Sequence, residues 1–157
     1  MMRRCHLIIF ILLLLCTAPA WACFGPKLYI GVEVGVAGEL NFALVSLYIK
    51  EKTGVEAVRV DMAAKDAVAA VAAAEQVDLA TAPATSSGGL LTLPDGSILL
   101  AGKRVRDDLQ FTTVLPALNK LQRVLAQADA TALLARVQAG EGAVAVARSW
   151  FKVQKAL

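Results

Sequence analysis

The sequence contains very little histidine and cysteine. Its single histidine is His6, and its three cysteines, Cys5, Cys16 and Cys23, all lie within the first 23 residues. Beyond residue 23 neither residue type occurs, which excludes Ser-His-Asp and Cys-His catalytic groups and an internal disulfide there. Zinc sites of the usual histidine and cysteine type are excluded as well. We therefore predict that the chain is not an enzyme and has no catalytic residues, no metal and no cofactor.

Aromatic residues are also few, and the net charge is small. Phe, Tyr and Trp make up 6% of the residues, and 16 Lys and Arg against 13 Asp and Glu give a net charge of +3. Loss of Arg3 and Arg4 with a signal peptide would leave basic and acidic side chains almost equal in number. A nearly neutral surface gives no electrostatic basis for binding nucleic acid, so we expect no nucleic-acid partner.

Residues 1–22 have the three parts of a secretory signal peptide. Arg3 and Arg4 form a basic region, residues 7–15 are an unbroken apolar run, and Ala20-Trp21-Ala22 has the small-x-small pattern of a cleavage site. The apolar run is too short for a relaxed membrane-spanning helix. We predict a signal peptide at 1–22, a single domain at 23–157, and a periplasmic or otherwise exported protein.

Cys23 follows the cleavage site and allows two outcomes. Ala20-Trp21-Ala22-Cys23 resembles a bacterial lipobox, which would make Cys23 a lipidated first residue and anchor a lipoprotein to the membrane. The bulky Trp21 occupies a position where lipoboxes have a small residue. Ordinary cleavage, which leaves a soluble protein with a terminal thiol, is therefore slightly favoured.

The first half of the predicted domain alternates between strand and helix patterns. The predicted elements are a strand at 27–33, a helix from Gly38 to Lys52, a strand at 55–60, a helix at 63–76 and a strand at 77–81. Gly54 is the expected stop of the first helix, and Asp61 is the expected cap of the second. This order predicts a parallel sheet with helical crossovers.

The second half changes pattern. Residues 81–89 form a small-residue loop, residues 90–93 and 98–101 predict a hairpin, and residues 103–108 predict a solvated, charged connection. Three helices follow: one has a leucine stripe from Leu115 to Leu125, one is capped by Asp129, and the last is lined by Val144, Ala147 and Phe151. The predicted fold is α/β, a small mostly parallel sheet flanked by helices, with an inserted hairpin and C-terminal helices.

Several segments, in this order, resemble a known family. They are Lys52-Thr-Gly-Val-Glu, Val77-Asp-Leu-Ala, Ala117-Leu-Asn-Lys-Leu, Ala132-Leu-Leu-Ala-Arg-Val and Val146-Ala-Arg-Ser-Trp-Phe. Together they make the chain similar to substrate-binding domains of ABC transporters for glycine betaine and related quaternary amines. The resemblance implies one lobe of a periplasmic-binding-protein fold and an ABC transporter permease as partner.

The chain departs from that family in two ways. The family inserts a second lobe after the third strand, whereas only about 30 residues separate that strand from the C-terminal helices here. The family also encloses its ligand in an aromatic cage through cation–π attraction. Tyr29, Tyr48 and Trp150 are interpreted as structural residues here, so the resemblance implies the fold more firmly than the ligand.

Any remaining ligand site is expected at the carboxyl edge of the parallel strands. The candidate ligand-binding residues are Gly35, Val36, Ala37, Gly38, Glu39, Thr85, Ser86 and Ser87. The glycine-rich turn at the start of the first helix suits a small anion or carboxylate, because the helix dipole is positive there. The expected ligand is a small quaternary-amine-type solute, and the expected role is ligand sensing or assistance to transport.

A second hypothesis is that the chain is a protein-interaction module of the cell envelope that has lost ligand binding. The former cleft face would then contact a second copy of the chain, as a homodimer, or another subunit. The leucines of the predicted hairpin, such as Leu91 and Leu99, would form an exposed apolar patch on that face.

We predict cleavage between Ala22 and Cys23, because the apolar run and the small-x-small pattern precede that bond. The intact mass of the exported protein would show residues 1–22 removed, with acyl chains added if Cys23 is lipidated and a maleimide-reactive thiol if it is not. An exported species that still carries residues 1–22 would contradict the signal-peptide prediction.

Overall fold

Five strands of the computed structural model, which describes residues 25–73 and 77–157, form one mixed sheet. The strands are β1 (Lys27–Val32), β2 (Glu56–Asp61), β3 (Leu79–Ala82), β4 (Leu91–Thr92) and β5 (Ile98–Ala101). They lie in the order β2-β1-β3-β5-β4. β1 pairs in parallel with β2 and β3, while β5 pairs antiparallel with β3 and β4. The predicted α/β class, with a mostly parallel core and an added hairpin, is confirmed.

Helices cover both faces of this sheet. They are α1 (Val36–Thr53), α2 (Ala67–Ala73), α3 (Lys103–Asp107), α4 (Val114–Leu125), α5 (Ala130–Gln138) and α6 (Ala143–Val153), with 3₁₀ turns at Ala64–Asp66 and Leu109–Phe111. α1 packs against β1, β2, α4, α5 and α6, whereas α2 packs against β3 and β5 on the opposite face. The three predicted C-terminal helices are confirmed.

The sheet has a core on each face because strand side chains alternate. Leu28, Ile30 and Val32 of β1 are fully buried in the larger core, beneath α1. In β3, Ala80 belongs to the smaller core, beneath α2, together with Leu100 of β5. The small side chains of this second core allow the short α2 to lie close to the sheet.

Helix α1 is the central helix of the structure and is apolar on almost every side. It begins at Val36, two residues earlier than expected, because Gly35 serves as its N-cap. It ends where predicted: Gly54 adopts a left-handed conformation with φ 74°, and its N–H donates to the carbonyl of Lys50 at 2.9 Å. Glycine takes that conformation without steric cost.

An ion pair between Asp78 and Arg104 joins distant parts of the fold. The side chain of Asp78 is 4% exposed, and Nη1 of Arg104 lies 3.2 Å from both of its carboxylate oxygens. Oδ2 of Asp78 also accepts from the backbone N–H of Tyr29 at 2.8 Å. The Arg104 guanidinium lies 4.8 Å from the ring centre of Phe111. The prediction that residues 103–108 form a solvated connection holds only in part. Lys103, Arg106 and Asp107 are exposed as expected. Residues 103–107 nevertheless form α3, in which Arg104 pairs with Asp78 and Val105 is buried.

The helix predicted at 63–76 starts later in the structure. A 3₁₀ turn precedes α2, which begins at Ala67, and residues 74–76 lie outside the described residues. The predicted capping role of Asp61 is wrong, because Asp61 ends β2 and its carboxylate accepts from Nε of Arg59 at 2.6 Å. Ala63 holds the cap position of the 3₁₀ turn and makes no side-chain cap bond.

The hairpin of β4 and β5 is confirmed, but its predicted exposure is wrong. Leu91 is 2% exposed and Leu99 is fully buried, and both belong to the larger core. The hairpin is buried because β5 pairs with β3 and extends the sheet under the helices. The expected apolar patch therefore does not exist on this hairpin, and a dimer through it loses its basis.

The C-terminal helices follow the sequence pattern closely. Oδ1 of Asp129 accepts from the N–H of Ala132 at 3.0 Å, which confirms the predicted cap of α5. Ala147 and Phe151 of α6 are buried, whereas Val144, which the sequence pattern groups with them, is 49% exposed. Val144 lies in the first turn of α6, at the edge of the helical layer.

We expect the substitution Asp78→Ala to lower the free energy of unfolding by about 3 kcal/mol, because it leaves Arg104 without its buried partner. It also removes the acceptor of the Tyr29 N–H. Urea denaturation followed by circular dichroism measures the change. Asp61→Ala is the matched control, since its exposed pair with Arg59 should contribute less than about 1 kcal/mol. Equal losses in both variants would contradict a central role for Asp78.

Candidate functional site

The two predicted ligand-binding segments lie at the same edge of the sheet. Residues 35–39 follow the carboxyl end of β1, and residues 85–87 follow the carboxyl end of β3. β1 and β3 are adjacent and parallel, with Ile30 opposite Leu79. Their carboxyl ends therefore open onto one shared edge, which we call the carboxyl edge.

Two glycines give the start of α1 its shape. Gly35 has φ 135° and ψ 176°, a conformation that side chains rarely adopt. A Cβ at Gly38 would collide with the backbone carbonyl of Glu33, so only glycine lets the helix approach the end of β1. Gly38 is buried, while Val36 and Glu39 face outward and Ala37 is half-buried. Because Gly35 has no side chain, no side-chain cap covers the first amide N–H groups of α1.

The loop after β3 contributes hydroxyl groups to the carboxyl edge. The N–H of Ser86 donates to the carbonyl of Pro83 at 2.9 Å, which fixes a turn. Thr85 and Ser87 are exposed, and their hydroxyls have no hydrogen-bond partner among the described residues. Ser87 also lines a groove of about 380 Å³ in which Lys103 and Arg106 carry the positive charge.

Asn41 is a residue of this region that sequence analysis did not single out. It lies in α1, one turn after Gly38, and is 1% exposed. Its Nδ2 donates to Oγ of Ser97 at 3.4 Å in the hairpin turn, and Ser97 donates onward to Oδ1 of Asp95 at 2.6 Å. Oδ1 of Asn41 has no partner among the described residues. A buried amide oxygen that accepts no hydrogen bond lowers the stability of the folded protein.

The aromatic residues do not form a cage at the carboxyl edge. Tyr48 lies in the last half of α1, and its ring packs 5.5 Å from that of Phe151. Trp150 is 9% exposed and packs 5.0 Å from Phe151 as well. The interpretation of Tyr48 and Trp150 as structural agrees with this packing. Tyr29, on β1, is 37% exposed.

Two carboxylates with shifted pKa values lie away from the carboxyl edge. The hydrogen bond from Lys50 lowers the pKa of Glu56, and the hydrogen bond from Arg136 lowers the pKa of Glu141. Both pairs are exposed surface ion pairs of the kind that contribute little to stability.

Within residues 25–73 and 77–157, no group of three or more His, Cys, Asp or Glu side chains could hold a metal ion. In the same ranges, no helix has the length and apolarity needed to cross a membrane. Cys23 and the predicted signal peptide lie outside the described residues.

Comparison of the chain with protein-family models, curated proteins and solved structures yields no match. The resemblance to glycine betaine binding domains therefore stays a prediction.

We expect Gly38→Ala to destabilise the fold by about 2 kcal/mol, since the added methyl group must displace the backbone of Glu33. Gly142→Ala is the matched control, because a Cβ there meets no atom within 4 Å and φ is −64°. Thermal denaturation of the two variants measures the difference. If Gly38→Ala unfolds at the wild-type temperature, the close approach of α1 to β1 is not required.

Proposed function

We propose that this chain is an exported, non-enzymatic binding lobe that contacts a small solute at the carboxyl edge, in a role accessory to an ABC transporter. The observation that supports it most is the placement of two exposed segments, 35–39 and 85–87, after adjacent parallel strands. The carboxyl edge of parallel strands is where open α/β sheets bind ligands.

The chemistry of the carboxyl edge suits one end of a betaine-type solute. The uncapped amide groups at the start of α1 and the hydroxyls of Thr85 and Ser87 are donors for a carboxylate. Tyr48 and Trp150 pack on Phe151 and do not form an aromatic cage at this edge for a quaternary ammonium group. A lone lobe is therefore expected to bind weakly, and a partner chain would have to supply the other wall of the site.

The second candidate function is protein interaction, which two exposed valines favour. Val34 is 73% exposed and Val36 is 38% exposed, and they flank Gly35 at the carboxyl edge. Apolar side chains in such a position suit a contact with a permease, another subunit or a second copy of the chain. This contact replaces the one expected through the hairpin, whose leucines are buried.

We expect glycine betaine and proline betaine to shift the amide NMR signals of residues 35–39 and 85–87, with weak affinity. Choline should leave the signals of residues 35–39 unchanged, because it has no carboxylate for the start of α1. Ser87→Ala should weaken glycine betaine binding, whereas Thr131→Ala, on the exposed face of α5, should not.

Tight binding by the monomer would contradict the one-wall geometry. Equal shifts from choline and glycine betaine at residues 35–39 would contradict carboxylate recognition there. If none of the three solutes shifts any signal at the carboxyl edge, solute binding is wrong. Light scattering then tests the second candidate: a self-association that Val34→Lys abolishes would support protein interaction through this edge.

A further inference from the structure

A second groove lies at the far end of α1 from the carboxyl edge. It has a volume of about 530 Å³, and the last turns of α1, the start of α4 and the C-terminal tail form its walls. Tyr48 lies twelve residues beyond Val36, which is about 18 Å along the helix axis. The groove is therefore separate from the site proposed above.

Three lysines face this groove, and one comes from each wall. They are Lys52 of α1, Lys120 of α4 and Lys155 of the tail. No acidic side chain among the described residues lines the groove, and none of the three lysines forms an ion pair within those residues. The three lysines therefore make this groove positively charged, although the chain as a whole is nearly neutral.

Tyr48 adds an unpaired donor to the same groove. It is 3% exposed, it lines the groove, and its hydroxyl has no hydrogen-bond partner among the described residues. Among the described residues, Oδ1 of Asn41 is the only enclosed polar side-chain atom without a partner, so the Tyr48 hydroxyl reaches the solvent of the groove and is available to a ligand. Burial raises the pKa of Tyr48, although the charge of Arg123 opposes that shift. The hydroxyl keeps its proton at neutral pH and can donate it in a hydrogen bond.

The backbone of Lys155 is held in a strained conformation beside the groove. After α6, the N–H of Ala156 donates to the carbonyl of Phe151, and the N–H of Lys155 donates to that of Lys152, which is a Schellman motif. Lys155 is in the left-handed position with φ 51°, where α1 and α5 end in Gly54 and Gly140. Glycine would avoid the strain at this position, so the lysine side chain is kept at a cost to stability.

We propose that this groove binds a small, soluble ligand carrying a phosphate-type polyanion, held by Lys52, Lys120, Lys155 and the Tyr48 hydroxyl. Ammonium groups and a phenol hydroxyl are all donors, and charge-assisted hydrogen bonds to phosphate oxygens are among the strongest in proteins. The hydroxyl of Thr113, at the start of α4, makes no cap bond and is a further donor. The volume suits a phosphorylated small molecule and is far too small for a nucleic-acid duplex.

Calorimetry of the purified chain with pyrophosphate and inorganic phosphate tests this proposal. Pyrophosphate should bind more tightly than phosphate, and Lys120→Gln should weaken pyrophosphate binding by about ten-fold. Tyr48→Phe should also weaken binding while leaving the melting temperature unchanged or higher, because it removes a hydroxyl that has no partner. Lys65→Gln, an exposed lysine near the other end of the molecule, is the matched control and should keep wild-type affinity.

The substitution Lys155→Gly is expected to have opposite effects on thermal stability and on pyrophosphate binding. It should raise the melting temperature by relieving the backbone strain and, at the same time, weaken pyrophosphate binding. Absence of pyrophosphate binding, or equal weakening by Lys65→Gln and Lys120→Gln, would overturn the proposal. Binding to phosphatidylglycerol vesicles without binding to pyrophosphate would overturn the assignment to a soluble ligand. None of these outcomes depends on betaine binding at the carboxyl edge.

Discussion

The buried carboxylate of Asp78 is the constraint on which the rest of the structure depends. It lies just before β3 and bonds both the start of β1 and Arg104 of α3. The N–H of Gly102 also donates to the carbonyl of Asp78 at 2.8 Å, where the chain leaves β5. Together with the ladder between β3 and β5, these bonds tie the hairpin and α3 to the parallel strands. The pairing of β5 with β3 makes the short insertion part of the sheet, and the chain closes a larger core beneath α1 and a smaller core beneath α2.

Helix α1 is the second organising element, because it connects two chemically different ends of the molecule. Its start is uncapped and lies against β1 through Gly38, which leaves amide groups and two valines at the carboxyl edge. Its last turns place Tyr48 and Lys52 in the groove that Lys120 and Lys155 also line. The same apolar helix fills the core between these ends, so a ligand at either end would contact a rigid support.

The sequence allowed the order of strands and helices to be predicted, because hydrophobic periodicity and glycine stops are local signals. The sequence did not allow prediction of the contact between Asp78 and Arg104, which are 26 residues apart. Nor did it allow prediction of the contact between Asn41 and Ser97, which are 56 residues apart. The leucines of the hairpin show the same limit. The sequence of an apolar run does not show whether its side chains are exposed or buried. Leu99 is buried because β5 pairs with β3 and so becomes part of the sheet.

The net charge likewise did not predict where the candidate sites lie. A nearly balanced composition argues against a broad basic surface, but it contains no information on where the charges lie. Lys52, Lys120 and Lys155 are far apart in the sequence and meet only because α1, α4 and the Schellman turn after α6 converge. The strained backbone of Lys155 adds a separate argument, since selection for stability alone would place glycine there, as at Gly54 and Gly140. The left-handed backbone at a charged residue supports, as a hypothesis, a role for the Lys155 side chain in the proposed groove.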